Sequence, residues 1–385
     1  MNFDLTEEQR LLKDSIERLM HDKYGFADRG RYQAEEQGYS ESMWANYADL
    51  GLLALPFPEE YGGFGGGAVD TMIVMEALGG ALAQEPYFST VVLAGGILRH
   101  GASEVQKSEL ISAIAQGQAK MSLGYMEPQS RYDLFDVETQ AQRIGDEWIL
   151  NGMKALVLHG DTADKLIVTA RTSGDSRQKE GIGLFLLDAD VTGLGRRGYP
   201  THSGSRAADI TLENVRVDSA DVIGDPAGGL PILLRVADEA VAAICAEALG
   251  AFEKMQAITL DYLKTREQFG KKIGGFQVLQ HKAVDMLVDL EQSRSMAIYA
   301  AVMAGEKDAT ARERAISAAK VQIGRSAKAI GHQSIQLHGG IGMTMEHSIG
   351  HYFRHVTMLD TLFGDANFHL SRLASLGGLI GEQVG

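Results

Sequence analysis

Apolar residues recur every three to four positions through the first part of the chain, shift to short strand-like runs in the middle, and return to helical spacing after about Gly228. Thr6-Glu7-Glu8-Gln9 has the form of a capping box, and Leu12, Ile16, Leu19 and Met20 follow at one helical face. Further helices are predicted over residues 43–50, 69–82 and 87–98. Between them, the run from Pro56 to Gly67 is rich in glycine. No strand precedes it and it matches neither nucleotide fingerprint, so it reads as a structural loop. In the middle, Trp148-Ile149-Leu150 runs into Asn151-Gly152, a hairpin-turn signal. Short strands are predicted at 166–170, 183–187 and 210–212, with Asn214-Val215-Arg216-Val217 closing the β region. Nearly uninterrupted helices are then predicted over 237–266, 277–303 and 312–336, a pattern that packs as an antiparallel bundle. The chain is therefore expected to be α+β, in three domains: N-terminal helical (1–118), middle β-barrel-like (119–227) and C-terminal four-helix bundle (228–385).

Composition narrows the class. A chain of 385 residues with 45% hydrophobic and 23% charged positions is ordinary for a globular protein with a large core. A formal charge of −15 argues against nucleic acid or an anionic membrane surface as partner, both of which need a basic patch. The single cysteine, Cys245, sits among Val241, Ala242, Ala243 and Ile244 and reads as a small core residue in a reducing compartment. The start Met1-Asn2-Phe3-Asp4-Leu5 has no charged-then-apolar leader, and no apolar run is long enough to span a bilayer. A cytoplasmic globular protein is expected.

Three segments carry candidate chemistry: Arg266-Glu267-Gln268-Phe269-Gly270, Phe276-Gln277-Val278-Leu279-Gln280-His281 and Gln336-Leu337-His338-Gly339-Gly340. An arginine offers a fixed fork of donors to a diphosphate, phenylalanine a flat apolar surface, and paired glycines a close backbone approach. These segments resemble the FAD-binding signatures of the acyl-CoA dehydrogenase family, and the helix, β, helix order of the whole chain is similar to that family's. The resemblance implies FAD as cofactor and an acyl-CoA thioester as substrate. A carboxylate would remove the α proton while the β hydrogen leaves as hydride to the flavin, and electrons would pass on to an electron-transferring flavoprotein. It implies that Arg266, Gln268, Phe269, Gln336, Gly339 and Gly340 hold the diphosphate, in the family that of a neighbouring subunit's FAD.

Other expected parts are altered. The family's Asn-Gly-x-Lys-x-Trp-Ile-Thr-Asn-Gly is Asn151-Gly152-Met153-Lys154-Ala155-Leu156-Val157-Leu158-His159-Gly160 here, so Leu156 and Leu158 replace the tryptophan and threonine that contact the flavin ring. In Tyr125-Met126-Glu127-Pro128-Gln129-Ser130-Arg131 only Glu127-Pro128 keeps the family pattern. The two positions where the family carries its base fall at Phe363, before Gly364, and at Ala240; neither accepts a proton. Asp365 and Glu239 lie nearby, Asp365 being the better replacement candidate; its plain reading is a helix cap. His347, His351 and His355 recur every four residues, a spacing that can bind zinc, but no carboxylate or thiolate in register completes a site, so no metal is expected.

Groups lent to a neighbour's FAD are kept, and groups serving the chain's own flavin ring and substrate are changed. This pattern suits the non-catalytic member of a heteromer. Tyr262-Leu263-Lys264-Thr265-Arg266-Glu267-Gln268-Phe269-Gly270 and Leu362-Phe363-Gly364-Asp365-Ala366 resemble small subunits of pimeloyl-CoA-dehydrogenase-type enzymes, which pair two-plus-two with a larger, base-bearing chain. Alternatives stay open: a homotetrameric dehydrogenase using Asp365, a flavin enzyme of desulfinase or monooxygenase type, or a scaffold without cofactor. The acyl group, whether fatty, pimeloyl or steroid side chain, is beyond spacing to reveal.

Overall fold

A computed structural model of the protein describes residues 5–377. Helices α1 (Glu7–Lys23), α2 (Phe26–Gln33), α3 (Glu41–Asp49), α4 (Ala68–Ala81), α5 (Gly95–Gly101), α6 (Glu104–Gln106) and α7 (Ser112–Ala115) come first. Strands β1 (Met121–Gly124), β2 (Gln140–Ile144), β3 (Glu147–Leu158), β4 (Lys165–Arg171), β5 (Ile182–Asp188), β6 (Leu194–Pro200) and β7 (Arg206–Asp218) follow. Helix α8 (Gly229–Thr265), the two-residue strands β8 (Glu267–Gln268) and β9 (Lys271–Lys272), and helices α9 (Gln277–Ala304), α10 (Ala309–His338), α11 (Ser348–Thr361) and α12 (Ala366–Ser375) complete the chain. The described residues form two compact units. One gathers the chain up to Arg31, Ala68–Ala83 and everything from Val241; the other holds Tyr32–Gly67 and Gln84–Ala240.

In the first unit, α1 starts at the capping box: Thr6 Oγ1 accepts from Gln9 N, and the Gln9 side chain accepts from Thr6 N. Its buried face, Ile16, Leu19 and Met20, is the one the spacing predicts. Helices α4 and α8 meet backbone to backbone. A Cβ on Gly79 would lie 1.9 Å from the Glu247 carbonyl oxygen, and one on Gly250 would lie 1.8 Å from that of Glu76. Only glycine permits this approach. Tyr352 of α11 donates to the Gly80 carbonyl at 2.5 Å, and Arg29, the one buried residue of α2, donates to Leu82 O at 3.1 Å. Helix α10 packs against α9, α11 and α12. At its centre the fully buried Lys320 donates to Leu359 O near the end of α11. Burial pulls the Lys320 ammonium down to about 8 and pushes the neighbouring Cys245 thiol up to about 12, so the thiol is a protonated core group.

The second unit is built on a seven-stranded sheet in the order β1-β4-β2-β3-β7-β6, with β5 pairing β4. β1 and β2 run parallel to β4, and the other pairs are antiparallel. Trp148 meets Phe185 edge-to-face at 5.5 Å, within a core that includes Leu150, Val168, Leu187 and Ile210. Asn151 and Gly152 do not make the predicted hairpin turn. They lie inside β3, where the register with β7 shifts between Leu150 and Gly152, and Gly145-Asp146 turns the chain instead. The Asn151 side chain accepts from Asn214 N at 2.8 Å, so the dipeptide forms a bulge bound to the facing strand. The predicted helix over 87–98 opens as a π-helix (Phe88–Ala94) before α5.

Two predictions follow from these contacts. Gly250→Ala should cost at least about 2 kcal/mol, because the obstructing atom is a backbone carbonyl that cannot rotate away; urea unfolding measures it. His369 is fully buried, and burial together with the Lys320 charge holds its imidazole down at about 3. A depressed imidazole leaves stability intact above the unfolded value near pH ~6.5 and erodes it as pH falls toward the folded value. Stability should therefore drop below about pH 6.5, by at most about 1.4 kcal/mol per pH unit per histidine. His369→Gln should flatten that slope in a urea series taken at decreasing pH.

Candidate functional site

The cradle begins where α8 ends. Arg266 N–H closes the helix on Tyr262 O (2.9 Å), and Ile273 N–H donates back to Arg266 O (2.9 Å). Between them β8 and β9 form a hairpin, with Glu267 opposite Lys272 and Gln268 opposite Lys271. Its turn is Phe269-Gly270, with φ of 52° and 76°. Positive φ at both central residues is a type I′ feature that favours Asn-Gly; a phenylalanine there is strained. The Phe269 ring stands 91% exposed, edge-to-face with Phe276 at 6.2 Å between ring centres. Arg266 and Gln268 are exposed as well.

The second half lies at the end of α10. Gln336 is exposed, His338 is buried, and Gly339 turns the chain at φ 62°, ψ −140°, a conformation essentially reserved for glycine. A Cβ on Gly339 or Gly340 would meet nothing within 4 Å. Gly340 is thus not required by the chain's own packing, and the space beside it is open to a group from outside. Arginine, exposed aromatic and open glycine backbone together fit a diphosphate with an attached planar group.

The ring-side positions do not offer such a fit. Leu156 and Leu158 are half-buried on β3, and Leu156 has φ 51° with its N–H 3.4 Å from Asp209 Oδ1. Neither side chain carries a donor or an aromatic face. Glu127 and Lys154, the surviving residues of the two β-domain motifs, are engaged with each other. Lys154 Nζ lies 2.5 Å from Glu127 Oε1 and donates to Thr169 Oγ1 at 2.9 Å, with both charges buried. Burial works against the Glu127 charge, but Lys154, the Gln129 side chain and the amides of Glu138 and Thr139 outweigh it and hold the carboxyl down at about 2. Burial lowers the Lys154 ammonium to about 8 against the pull of Glu127. The pair is ionic and ties the segment after β1 to β3. Each residue is visible in the sequence, but their pairing across 27 positions is not.

Phe363 is buried at φ 56° and is followed by Gly364 at φ 106°. Its carbonyl lies 3.0 Å from His369 Nε2, and His369 Nδ1 lies 3.1 Å from Ser317 Oγ. Nε2 therefore carries the proton, since a carbonyl only accepts. Ala240 is fully buried. Asp365 is the N-cap of α12, its Oδ1 accepting from Asn367 N (2.9 Å) and Phe368 N (2.8 Å). Glu239 is held by Arg99, His100 (2.9 Å) and Arg235 (3.1 Å). Burial opposes its charge, but the His100 hydrogen bond and the arginines prevail and keep the carboxyl below its ordinary range. The three spaced histidines diverge. His347 Nδ1 caps α11, His351 faces Arg29 and Arg354, and His355 Nε2 lies 3.1 Å from Glu247.

Comparison with known proteins covers nearly the whole chain. The acyl-CoA dehydrogenase N-terminal domain model covers residues 6–118, the middle domain 122–216 and the C-terminal domain 227–376. The probable acyl-CoA dehydrogenase YngJ of Bacillus subtilis is 30% identical over 381 residues, spanning 97% of this chain and 98% of that one. Among solved structures, the ChsE4-ChsE5 complex from Mycobacterium tuberculosis superposes with a TM-score of 0.88 at 25% identity, covering 97% of this chain and 98% of its counterpart. A variant of the Tcur3481-Tcur3483 steroid ACAD gives 0.86 at 28% identity, with 96% and 97% covered. Three domain models in order and a relative matched along nearly its full length place this chain in the acyl-CoA dehydrogenase family, whose cofactor is FAD.

Proposed function

We propose that this chain is the non-catalytic subunit of a heteromeric FAD-dependent acyl-CoA dehydrogenase, completing the cofactor pocket of a base-bearing partner chain. The observation that carries this reading is the contrast between Phe269 and Phe363: one is presented outward on the cradle, the other is buried where the family carries its base. FAD, when bound, supplies the hydride acceptor for α,β-dehydrogenation of an acyl-CoA. This chain contributes the Arg266 guanidinium as a two-pronged donor to the diphosphate, Phe269 as an apolar wall, and Gly339-Gly340 as backbone that a phosphate can approach. It contributes no base at position 363 or 240. Asp365 is engaged as a cap and Glu239 in ion pairs, which favours the partner-dependent reading over a relocated base.

Two further observations support association with another chain. Helix α9 leaves Val284, Leu287 and Val288 exposed along one side, more apolar surface than an isolated helix face needs. Two of the solved relatives are described as paired proteins, ChsE4 with ChsE5 and Tcur3481 with Tcur3483. The steroid description of the latter makes a steroid side-chain thioester the first substrate class to try.

Purified alone, the chain should be colourless and inactive on acyl-CoAs, and it should yield a yellow, active two-plus-two complex when co-expressed with its partner. Visible absorbance combined with light scattering reads both. A yellow homo-oligomer of this chain with full activity would overturn the proposal. In the active complex, Arg266→Ala should weaken FAD retention about ten- to hundredfold, as expected for loss of a charged hydrogen-bonding partner. Asp365→Asn, which preserves the cap, should leave the rate of the complex within about twofold. A loss of several orders of magnitude would instead assign the base to Asp365.

A further inference from the structure

The lending role rests on a diphosphate reaching Gly339 and Gly340, and the residue just ahead of them, His338, is poised in a way that role does not yet use. His338 is only 3% exposed. Its ring stacks on Tyr262 at 4.5 Å and 27°, one helical turn ahead of Arg266 on α8. It also neighbours the ring of His347, the N-cap of α11, at 4.8 Å. The imidazole thus stands where the ends of α8 and α10 and the start of α11 come together, the first two of which carry the cradle.

Its protonation state can be read from its contacts. Nδ1 lies 2.8 Å from Ser334 O, and because a carbonyl only accepts, Nδ1 carries the hydrogen. Nε2 of the neutral ring is then a bare lone pair, and this buried atom has no hydrogen-bond partner. A buried acceptor without a donor is costly, and native proteins rarely keep one without a use. Burial, and after it the neighbouring His347, hold the His338 imidazole below its ordinary value, and burial does the same for His347. The titratable groups facing His338 are Tyr262 from α8 and His347 from α11; among the described residues no carboxylate contacts it. The free cradle thus holds a neutral imidazole that can still take a proton.

A diphosphate ester brings negative charge and no proton of its own. It cannot donate to a bare Nε2, but it strongly favours the imidazolium over the imidazole. We infer that His338 is a proton-linked anion-binding residue of the cradle: docking of an ADP-type diphosphate drives uptake of one proton from solvent at Nε2, converting the buried lone pair into a donor and a positive charge beside Gly339-Gly340. No bond is made or broken apart from N–H formation. Cofactor affinity then rises as pH falls, up to about tenfold per pH unit for one proton taken up.

The test uses ADP-ribose, which carries the diphosphate ester without the flavin ring, titrated by calorimetry into the flavin-free complex of this chain with its partner. Measurements are made between about pH 7.5 and pH 6 in two buffers of different ionisation enthalpy. The expected result is an affinity that increases about five- to tenfold toward the lower pH, with proton uptake revealed by the buffer-dependent heat. His338→Gln should bind weakly and without pH dependence, and Arg266→Ala should abolish binding. Binding that Arg266→Ala abolishes but that is flat in pH and takes up no proton would overturn the role of His338 and leave the cradle standing. No binding, or binding indifferent to Arg266→Ala, would overturn the cradle and this inference with it. Should His338→Gln fail to fold, the imidazole resonances of His338 in the unsubstituted chain decide: ADP-ribose must raise their titration midpoint, and an unchanged midpoint refutes the inference.

Discussion

The contact on which the direction of the end of α8 depends is the crossing of α4 and α8, where two helix backbones touch through Gly79 and Gly250. A helix held by side-chain packing alone can rotate or slide by a fraction of a residue. One whose backbone lies against a neighbour's carbonyl cannot, because the obstructing atoms have no rotamers. This crossing fixes the rotation of α8 about its axis, and one residue of rotation swings a side chain by about 100°. Tyr262 and Arg266, three and four turns further along, inherit their direction from it. Tyr352 and Arg29 then anchor the same end of α4 through the carbonyls of Gly80 and Leu82.

Long-range order of this kind explains which parts of the fold could be read in advance. The helices now seen as α1, α8 and α10 announce themselves by apolar spacing sustained over several turns and α4 by a long apolar run, and Thr6-Gln9 marks one start to the residue. Failures occur where a partner distant in sequence decides. Asn151-Gly152 has the letters of a turn, but Asn214, 63 positions away, captures the asparagine and makes it a bulge. Helix α2 buries only Arg29, so it shows no apolar stripe to read. Strand β6, Leu194–Pro200, is largely exposed and charged, and it exists because β7 pairs with it along its full length.

The site divides the same way. The letters of the proposed cradle, Arg266, Gln268, Phe269, Gln336, Gly339 and Gly340, can be read in the sequence, as can a phenylalanine at 363 and an alanine at 240. What they do physically was not. Spacing could not tell that Asp365 spends its oxygen on two amides of α12, that Glu127 and Lys154 neutralise one another in the second unit, or that His338 keeps one nitrogen unpaired. Each of these depends on where a hydrogen bond goes, and that is a property of the folded backbone.

Two phenylalanines make the final distinction. Phe269 and Phe363 both occupy left-handed backbone, and both precede a glycine at positive φ. For an L-residue that conformation costs roughly 1–2 kcal/mol. At Phe363 the cost is met within the chain, since burying a phenylalanine side chain returns about 1.5–3 kcal/mol and His369 holds the carbonyl. Its conformation therefore needs no ligand to explain it. Phe269 has no such burial: its ring is 91% exposed, edge-to-face with Phe276, so the chain bears both the strain and the unburied surface. On the proposed reading, that return comes when the chain associates with its partner and cofactor. An aromatic ring beside Arg266 and an open glycine backbone is where a planar cofactor half and a partner surface would supply it.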